Sequence, residues 1–337
     1  MVEDEKEANR LHNKGFFGEP LSGGGLELDL HEAIYLLEAE RLEIEDEEGG
    51  PISKEAILER TSEERFMKEY LPYKDMRLRG YVLKKASDPA SYRVFPRGGG
   101  PGQTPSKYWL CTHSEKGVFD IKEILDAEHQ ISNLDKTMLT AVVDEEGDVT
   151  YYKFSTIDLN GSVERFDEKK LEATMYGDRC MIDENFEGLL DSNFYGFEDN
   201  GVLRLSSYET LYLKENEIMA VKDIETEKYL TSKELKEKYT EDSEGFELKY
   251  EIYEDLRRRG LIPKTGFKYG TPFRAYADDP DGIHAEYIIQ PVGEDRKYRW
   301  YEVSRAVRVA HSVRKDFLFA YAGEEDVEYL KIKRETP

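Results

Sequence analysis

Three side chains in the last quarter of the chain differ in chemistry and could act together. They are Tyr276, His284 and Lys315, separated by 8 and then 31 residues. A phenol, an imidazole and an ammonium suit acid–base cleavage of an RNA phosphodiester by its own 2′-hydroxyl, without a metal or other cofactor. That reaction needs a base for the 2′ proton, an acid for the departing 5′ oxygen and a cation for the phosphorane's extra charge. Histidine, with an ordinary pKa of about 6.5, suits the acid role near neutral pH. A tyrosine, at about 10, serves as base only where neighbouring cations stabilise its phenolate. A lysine stays charged and can hold a non-bridging oxygen.

The elements that must carry these groups follow from local pattern. A helix over Lys249–Arg259 ends at Gly260, a normal helix terminator. Phe267–Tyr276 and Glu286–Pro291 are β-rich runs, with turn-forming residues at Asp278–Gly282 between them. Tyr301–Arg314 sets Val303, Ala306, Val307, Ala310 and Val313 at helical spacing, a stripe for a core that leaves Arg305, Arg308 and Ser312 outside it. Lys315 follows that helix and opens a strand over Asp316–Ala322, and a last strand covers Glu328–Arg334. Strands beside one long helix make the fold class α/β (α+β).

The pattern occurs twice. Gly18, Glu32 and Tyr35 answer Gly196, Glu209 and Tyr212 at offsets of 177–178, and Tyr73, Asp75, Arg77, Arg79 and Gly80 answer Tyr253, Asp255, Arg257, Arg259 and Gly260 at 180. A period this long means two copies of a whole domain, not a solenoid. The expected organisation is a charged, poorly anchored lead-in over 1–14 and a first repeat over 15–154. A connection over 155–192 follows, with one short helix around Glu168–Thr174. The second repeat covers 193–337, divided at 245/246 into a small α/β half and a half with a mixed sheet and central helix. In the first repeat the chemistry is missing: Phe95 answers Tyr276, the position of His284 falls near Ser106 in a glycine-rich loop, and only Lys136 answers Lys315. That repeat reads as a non-catalytic scaffold, and its loop, which lacks the GK[ST] of a phosphate cradle, as a flexible remnant.

Composition narrows the class. With 39% apolar and 36% charged residues the 337-residue chain is globular and highly charged. No apolar run approaches the ~20 residues that cross a bilayer, so no membrane partner is expected. Two cysteines, Cys111 and Cys180, make no disulfide scaffold and fit a reducing cytoplasm. No cysteine or histidine spacing matches a metal site. The net charge of −24 opposes non-specific nucleic-acid binding. Yet residues 251–337 hold 16 acidic and 16 basic residues, and Arg296–Lys315 alone carries a net +6. A basic patch on an acidic body can steer a polyanion to one place.

At GTPFRAY (Tyr276), HAEYII (His284) and SRAVRVAHSVRK (Lys315) the chain resembles the archaeal tRNA-splicing endonucleases, and the resemblance extends over both repeats. It implies that Tyr276 is the base, His284 the acid and Lys315 the group that stabilises the transition state. Products would be a 2′,3′-cyclic phosphate and a 5′-hydroxyl, as for a tRNA-intron lyase. It further implies that Arg308 clamps a flipped-out bulge base, with Lys331 the nearest match to the family's second arginine. Arg305 and Lys268 complete the expected RNA contacts. The substrate would be intron-containing precursor tRNA, read at a bulge–helix–bulge by shape. One triad per chain and two cuts per intron imply a homodimer, in which the acidic hairpin tip Asp144, Glu145, Glu146 and Asp148 docks on basic surface of the other copy. Two other readings stay open on the residues alone: a metal-dependent nuclease and a non-catalytic RNA-binding or scaffold subunit.

Overall fold

A computed structural model describes residues 1–337 apart from 47, 60–62, 165–170, 281, 283, 295 and 324–325. The chain forms two compact units. The first comprises Met1–Ser155, Lys297–Ser304 and Lys333–Pro337, and the second Thr156–Arg296 and Arg305–Ile332. Among the described residues no helix is long and apolar enough to cross a membrane.

The first part of the chain runs α1 (Glu5–Gly15), β1 (Glu19–Pro20), β2 (Leu26–Glu27), α2 (Leu30–Glu38), α3 (Lys54–Leu58), α4 (Glu63–Leu78), β3 (Val82–Lys85), β4 (Tyr92–Phe95), β5 (Tyr108–Ser114), β6 (Val118–Phe119), α5 (Ile121–Ser132), β7 (Thr137–Val143) and β8 (Val149–Ile157). The strands β8-β7-β5-β4-β3 pair in that order, with β5–β7 parallel. The lead-in expected over 1–14 is anchored instead. Helix α1 is capped by Asp4, whose carboxylate accepts the Glu7 amide at 2.7 Å, and it buries Ala8 and Leu11; Val2 bridges to Leu26. A run this polar hides its anchors, because only two apolar residues one helical turn apart carry them.

The rest runs β9 (Leu171–Tyr176), β10 (Arg179–Ile182), α6 (Glu187–Asp191), β11 (Phe197–Asp199), β12 (Val202–Leu205), α7 (Ser207–Glu215), β13 (Met219–Asp223), α8 (Ser232–Asp242), α9 (Phe246–Arg258), β14 (Ile262–Thr265), the 3₁₀ turn Phe267–Tyr269, β15 (Phe273–Tyr276), β16 (Tyr287–Val292), β17 (Tyr298–Arg299), α10 (Trp300–Ser312), β18 (Asp316–Ala322) and β19 (Val327–Glu335). The segment 155–192 is more than a connection. Its β9 and β10 lie inside the five-stranded sheet β11-β12-β10-β9-β13. Where a helix was expected around Glu168–Thr174, residues 171–174 are strand, and 168–170 lie outside the described residues. The β9 pattern alternates Ala173 and Met175 inward with Glu172 and Tyr176 outward, a period of two that short length disguised. Of the turn expected at Asp278–Gly282, residue 281 lies outside the described residues.

The second repeat's other sheet order is β14-β15-β16-β18-β19, with β16–β18 parallel and the other pairs antiparallel. The registers repeat those of the first copy. Tyr108 pairs with Thr137 and Tyr287 with Asp316, each across the parallel pair, 29 residues apart in both. One face of this sheet, carrying Phe273, Ala275, Ile289, Leu318, Ala320 and Tyr329, packs into the core formed with Ile252, Tyr253 and Leu256 of α9. The β-rich run expected over Phe267–Tyr276 is interrupted: Gly266–Thr271 folds as a tight turn and only Phe273–Tyr276 is strand.

Candidate active site

Topology brings the ends of three strands together. β15 is antiparallel to β16 and β16 is parallel to β18. The last residue of β15, Tyr276, therefore lies at the edge where β16 and β18 begin. His284 precedes β16 by three residues and Lys315 immediately precedes β18. Continuing the paired registers sets Tyr276, Glu286 and Lys315 in one row across the strands. Tyr276 and Lys315 are then about 10 Å apart at Cα, two strand spacings. By pleat alternation they share the face opposite the α9 core, since Ala275 and Leu318 point into that core.

Contacts tighten the group. The Lys315 ammonium donates to the carbonyl of Ala285, the residue next to His284. Ala285 also packs with Tyr276 and Ile262 in a small buried cluster. Lys315 is half-buried and His284 exposed, while Tyr276 is 8% exposed. Lys315 is aimed by the end of α10, where Arg314 takes a left-handed φ of 56° and the Lys315 amide donates to Ala310 at 3.0 Å. The same device precedes β7, with Asp135 at φ 56° and the Lys136 amide on Ile131.

Two further side chains belong here that the sequence reading passed over. The Arg274 guanidinium lies 5.6 Å from the centre of the Tyr276 ring. Its position two residues before Tyr276, on the same side of one strand, is the signal that was available. The Tyr269 ring lies 5.8 Å from the Lys315 ammonium. This contact also brings the turn bearing Lys268, which is exposed, toward the same edge. Among the described residues no group of three histidine, cysteine or carboxylate side chains is placed to hold a metal.

The expected RNA contacts divide. Arg305 and Arg308 lie exposed on α10, off its buried stripe of Val303, Val307 and Ala310. Lys331 does not join them. It pairs across the sheet with Leu318, whose side chain enters the α9 core, so it takes the face opposite Lys315, where it is ion-paired to Asp316. Pleat parity, which a one-residue ambiguity in alignment reverses, is the reason. Along the same strand Arg334 has the other parity.

At the β7–β8 tip the four acidic residues have different tasks. Asp144 shapes the turn, its Oδ1 accepting the amides of Glu146 at 3.0 Å and Asp148 at 2.9 Å. Glu145 is ion-paired to Lys116. Glu146 and Asp148 are exposed. In the first repeat Phe95 pairs with Val82 as Tyr276 pairs with Ile262, and Pro105 stands three residues before β5 where His284 precedes β16. The glycine-rich loop there is packed at Gly99 and Gly100. A Cβ on Gly100 would come within 2.6 Å of the Phe16 ring, and one on Gly99 within 2.3 Å of Thr104 Oγ1.

Comparison with known proteins agrees with this architecture. The family model for the tRNA intron endonuclease catalytic C-terminal domain matches residues 66–151 and again 246–329, and that for the N-terminal domain matches 1–58 and 171–236. The second N-terminal match begins with β9, inside the segment taken for a connection. The tRNA-splicing endonuclease of Methanosarcina acetivorans is 38% identical over 333 residues, covering 96% of this chain and 94% of that protein. That of Methanococcoides burtonii is 34% identical over 346 residues, with 99% and 97% covered. The Haloferax volcanii protein of the same name is 27% identical over 347 residues, with 97% and 95% covered. With both domain models matched twice, in tandem, the chain belongs to the tRNA intron endonuclease family.

Proposed function

We propose that the chain is a tRNA-intron lyase that cuts both intron boundaries of precursor tRNA at a bulge–helix–bulge, by metal-independent attack of the 2′-hydroxyl. Tyr276, with the Arg274 cation beside its ring, takes the 2′ proton. His284, exposed at the strand edge, protonates the 5′ oxygen as the P–O5′ bond breaks. Lys315 holds the non-bridging oxygens. The new P–O2′ bond leaves a 2′,3′-cyclic phosphate and a 5′-hydroxyl, so no water is consumed in the cut. Arg305, Arg308 and Lys268 supply cations for the flanking RNA, and Lys331, on the other face of the sheet, is left out of the base clamp. Two chains form a cytoplasmic homodimer with two triads, the first repeat of each acting as a scaffold. The hairpin docks through Glu146 and Asp148, because Asp144 is spent on the turn and Glu145 on Lys116.

The observation that carries this reading is the Lys315-to-Ala285 hydrogen bond within a row that begins at Tyr276. It ties Lys315 to the residue next to His284, at the strand edge where β15 ends at Tyr276. The test is cleavage of a bulge–helix–bulge RNA in excess EDTA with end-group analysis of the products. Full activity and cyclic-phosphate ends are expected; loss of cleavage in EDTA, or a 3′-hydroxyl product, would establish a metal-dependent nuclease instead.

A further inference from the structure

The turn between β14 and β15 exposes an aromatic ring that the fold does not use. Phe267 is 85% exposed, Lys268 is exposed beside it, and Tyr269 is half-buried against Lys315 at 5.8 Å. The turn is rigid. The Gly266 amide donates to Pro272 at 3.0 Å, Tyr269 to Gly266 at 2.7 Å and Gly270 to Phe267 at 3.1 Å, while the Thr271 hydroxyl donates to Phe273 at 3.1 Å. Gly266 has no room for a side chain, since a Cβ would lie 2.5 Å from Thr271 Oγ1, and Gly270 takes φ +74°. A structure held this firmly presents Phe267 at small entropic cost.

The first repeat supplies the control. The turn joining β3 and β4, in the same place of the same hairpin, is ASDPAS, with no aromatic and no cation. The hairpin therefore closes without Phe267, Lys268 or Tyr269, and these residues occur only in the copy that holds the triad.

We propose that Phe267 and Tyr269 form a stacking platform for an unpaired RNA base beside the scissile phosphate, with Lys268 on the adjoining backbone. The proposal rests on the RNA-cleaving reading of the site and adds a positioning surface to it. Unpaired bases offer a π-face that a duplex withholds, and an aromatic ring beside a lysine matches a base beside its phosphate. Such a platform selects bulged over paired RNA irrespective of base identity.

The test uses the full chain and a bulged RNA carrying 2-aminopurine at the unpaired position and a 2′-deoxy sugar at the cleavage site. Phe267→Ala is expected to weaken binding of this RNA by about 5- to 100-fold and to relieve the fluorescence quenching of the base. Affinity for a fully paired hairpin should not change, and Phe267→Trp should restore both readouts. Unchanged affinity and quenching, or equal loss on paired RNA, would overturn the proposal. So would an altered sedimentation coefficient with RNA affinity intact, which would make the turn a protein contact. His284→Ala on the all-ribose RNA is the separate arm: if it cleaves normally, the site reading itself fails, whatever Phe267 does.

Discussion

Three polar joints occur in both repeats, while the groups proposed to be catalytic occur together in one. In the first joint Arg77 donates to the Gly15 carbonyl and lies 3.9 Å over the Phe17 ring, and Arg257 donates to the Asn193 carbonyl and lies 3.9 Å over Tyr195. In the second, Glu32 accepts the Gly18 amide beside Lys84, and Glu209 accepts the Gly196 amide beside Lys264. In the third, Asp75 accepts from Arg79 and the Tyr151 hydroxyl, and Asp255 from Arg259 and the Tyr329 hydroxyl. These joints tie helix to strand or loop and so maintain the frame. Tyr276, His284 and the Phe267–Tyr269 turn take no part in these joints, and their positions in the first repeat hold Phe95, Pro105 and a polar turn. The residues of the joints and the residues proposed to do chemistry are thus separate sets, and the first repeat carries the joints without a counterpart of Tyr276 or His284.

The largest expected effect tests that separation directly. His284→Ala should slow single-turnover cleavage of precursor tRNA by about 10²–10⁴-fold, the range for losing a general acid, with RNA binding retained by gel shift. An unchanged rate would place the chemistry elsewhere. Because His284 is exposed, thermal unfolding should not move, which distinguishes lost chemistry from lost structure.

The joints were legible in the sequence as matched residues, because a duplication sets each Asp, Arg and Gly against its partner at nearly constant offset. Strands bordered by turns and the α10 stripe were legible for the same reason that they fold: period two and period 3.6 place apolar residues on one side. What escaped detection depends on three-dimensional register. Lys331 was misplaced because pleat parity is invisible until β18 and β19 are paired. Arg274 was overlooked because its ring contact with Tyr276 crosses only two residues, a spacing that carries no weight unless the strand is known. The anchoring of residues 1–14 rests on Val2, Ala8 and Leu11 alone, too few to stand out in a charged run.

A second comparison concerns burial at the third joint. The Asp255 side chain is 3% exposed where that of Asp75 is 32%. Asp255→Ala would strand the buried Tyr329 hydroxyl and take from Arg259 its most buried partner, leaving that guanidinium to Asp158 and Asp326, and should cost about 2–3 kcal/mol. Asp75→Ala also leaves the Tyr151 hydroxyl without its partner, but the site is partly solvated and the loss should be smaller, about 1 kcal/mol. Denaturant midpoints of the two variants give the answer, and equal losses would mean that solvent access at this joint is immaterial.

The second joint differs in charge state between repeats. For Glu209, burial works to raise the carboxyl, but Lys264 and the amides of Ser206 and Gly196 outweigh it and hold the pKa at about 2. Glu32 is raised, by burial first and then by Asp29, against the pull of Lys84. Two features separate them: the Arg257 guanidinium adds to the pull of Lys264 on Glu209, and the helix cap Ser206 is neutral where Asp29 is charged. A depressed carboxyl stabilises the fold above its ordinary range and loses that contribution as pH falls toward 2. A raised one favours the fold at low pH and loses that contribution as pH rises through its folded value. Glu209→Gln should therefore cost ~3 kcal/mol at pH 7 and progressively less in acid. Glu32→Gln should be close to neutral at pH 7. Unfolding curves at pH 7 and pH 4 compare the two, and a loss for Glu32→Gln matching that of Glu209→Gln would refute this account of the contrast.

The smallest expected effect concerns the one catalytic-type group that the first repeat kept. Lys136 follows α5 as Lys315 follows α10, half-buried, with the same left-handed residue before it and the same amide bond back to the helix. Backbone geometry alone would equate the two lysines. Chemistry does not, because Phe95 can take no proton and Pro105 can give none, so a phosphate held at Lys136 would meet neither a base nor an acid. Lys136→Met, which keeps the stem and removes the charge, should leave single-turnover cleavage within about twofold of the parent, whereas Lys315→Met should lower it by about 10²–10³-fold, as for losing one preorganised donor to transition-state charge. A comparable loss at Lys136 would mean that the first repeat binds RNA at its own strand edge and is more than a scaffold.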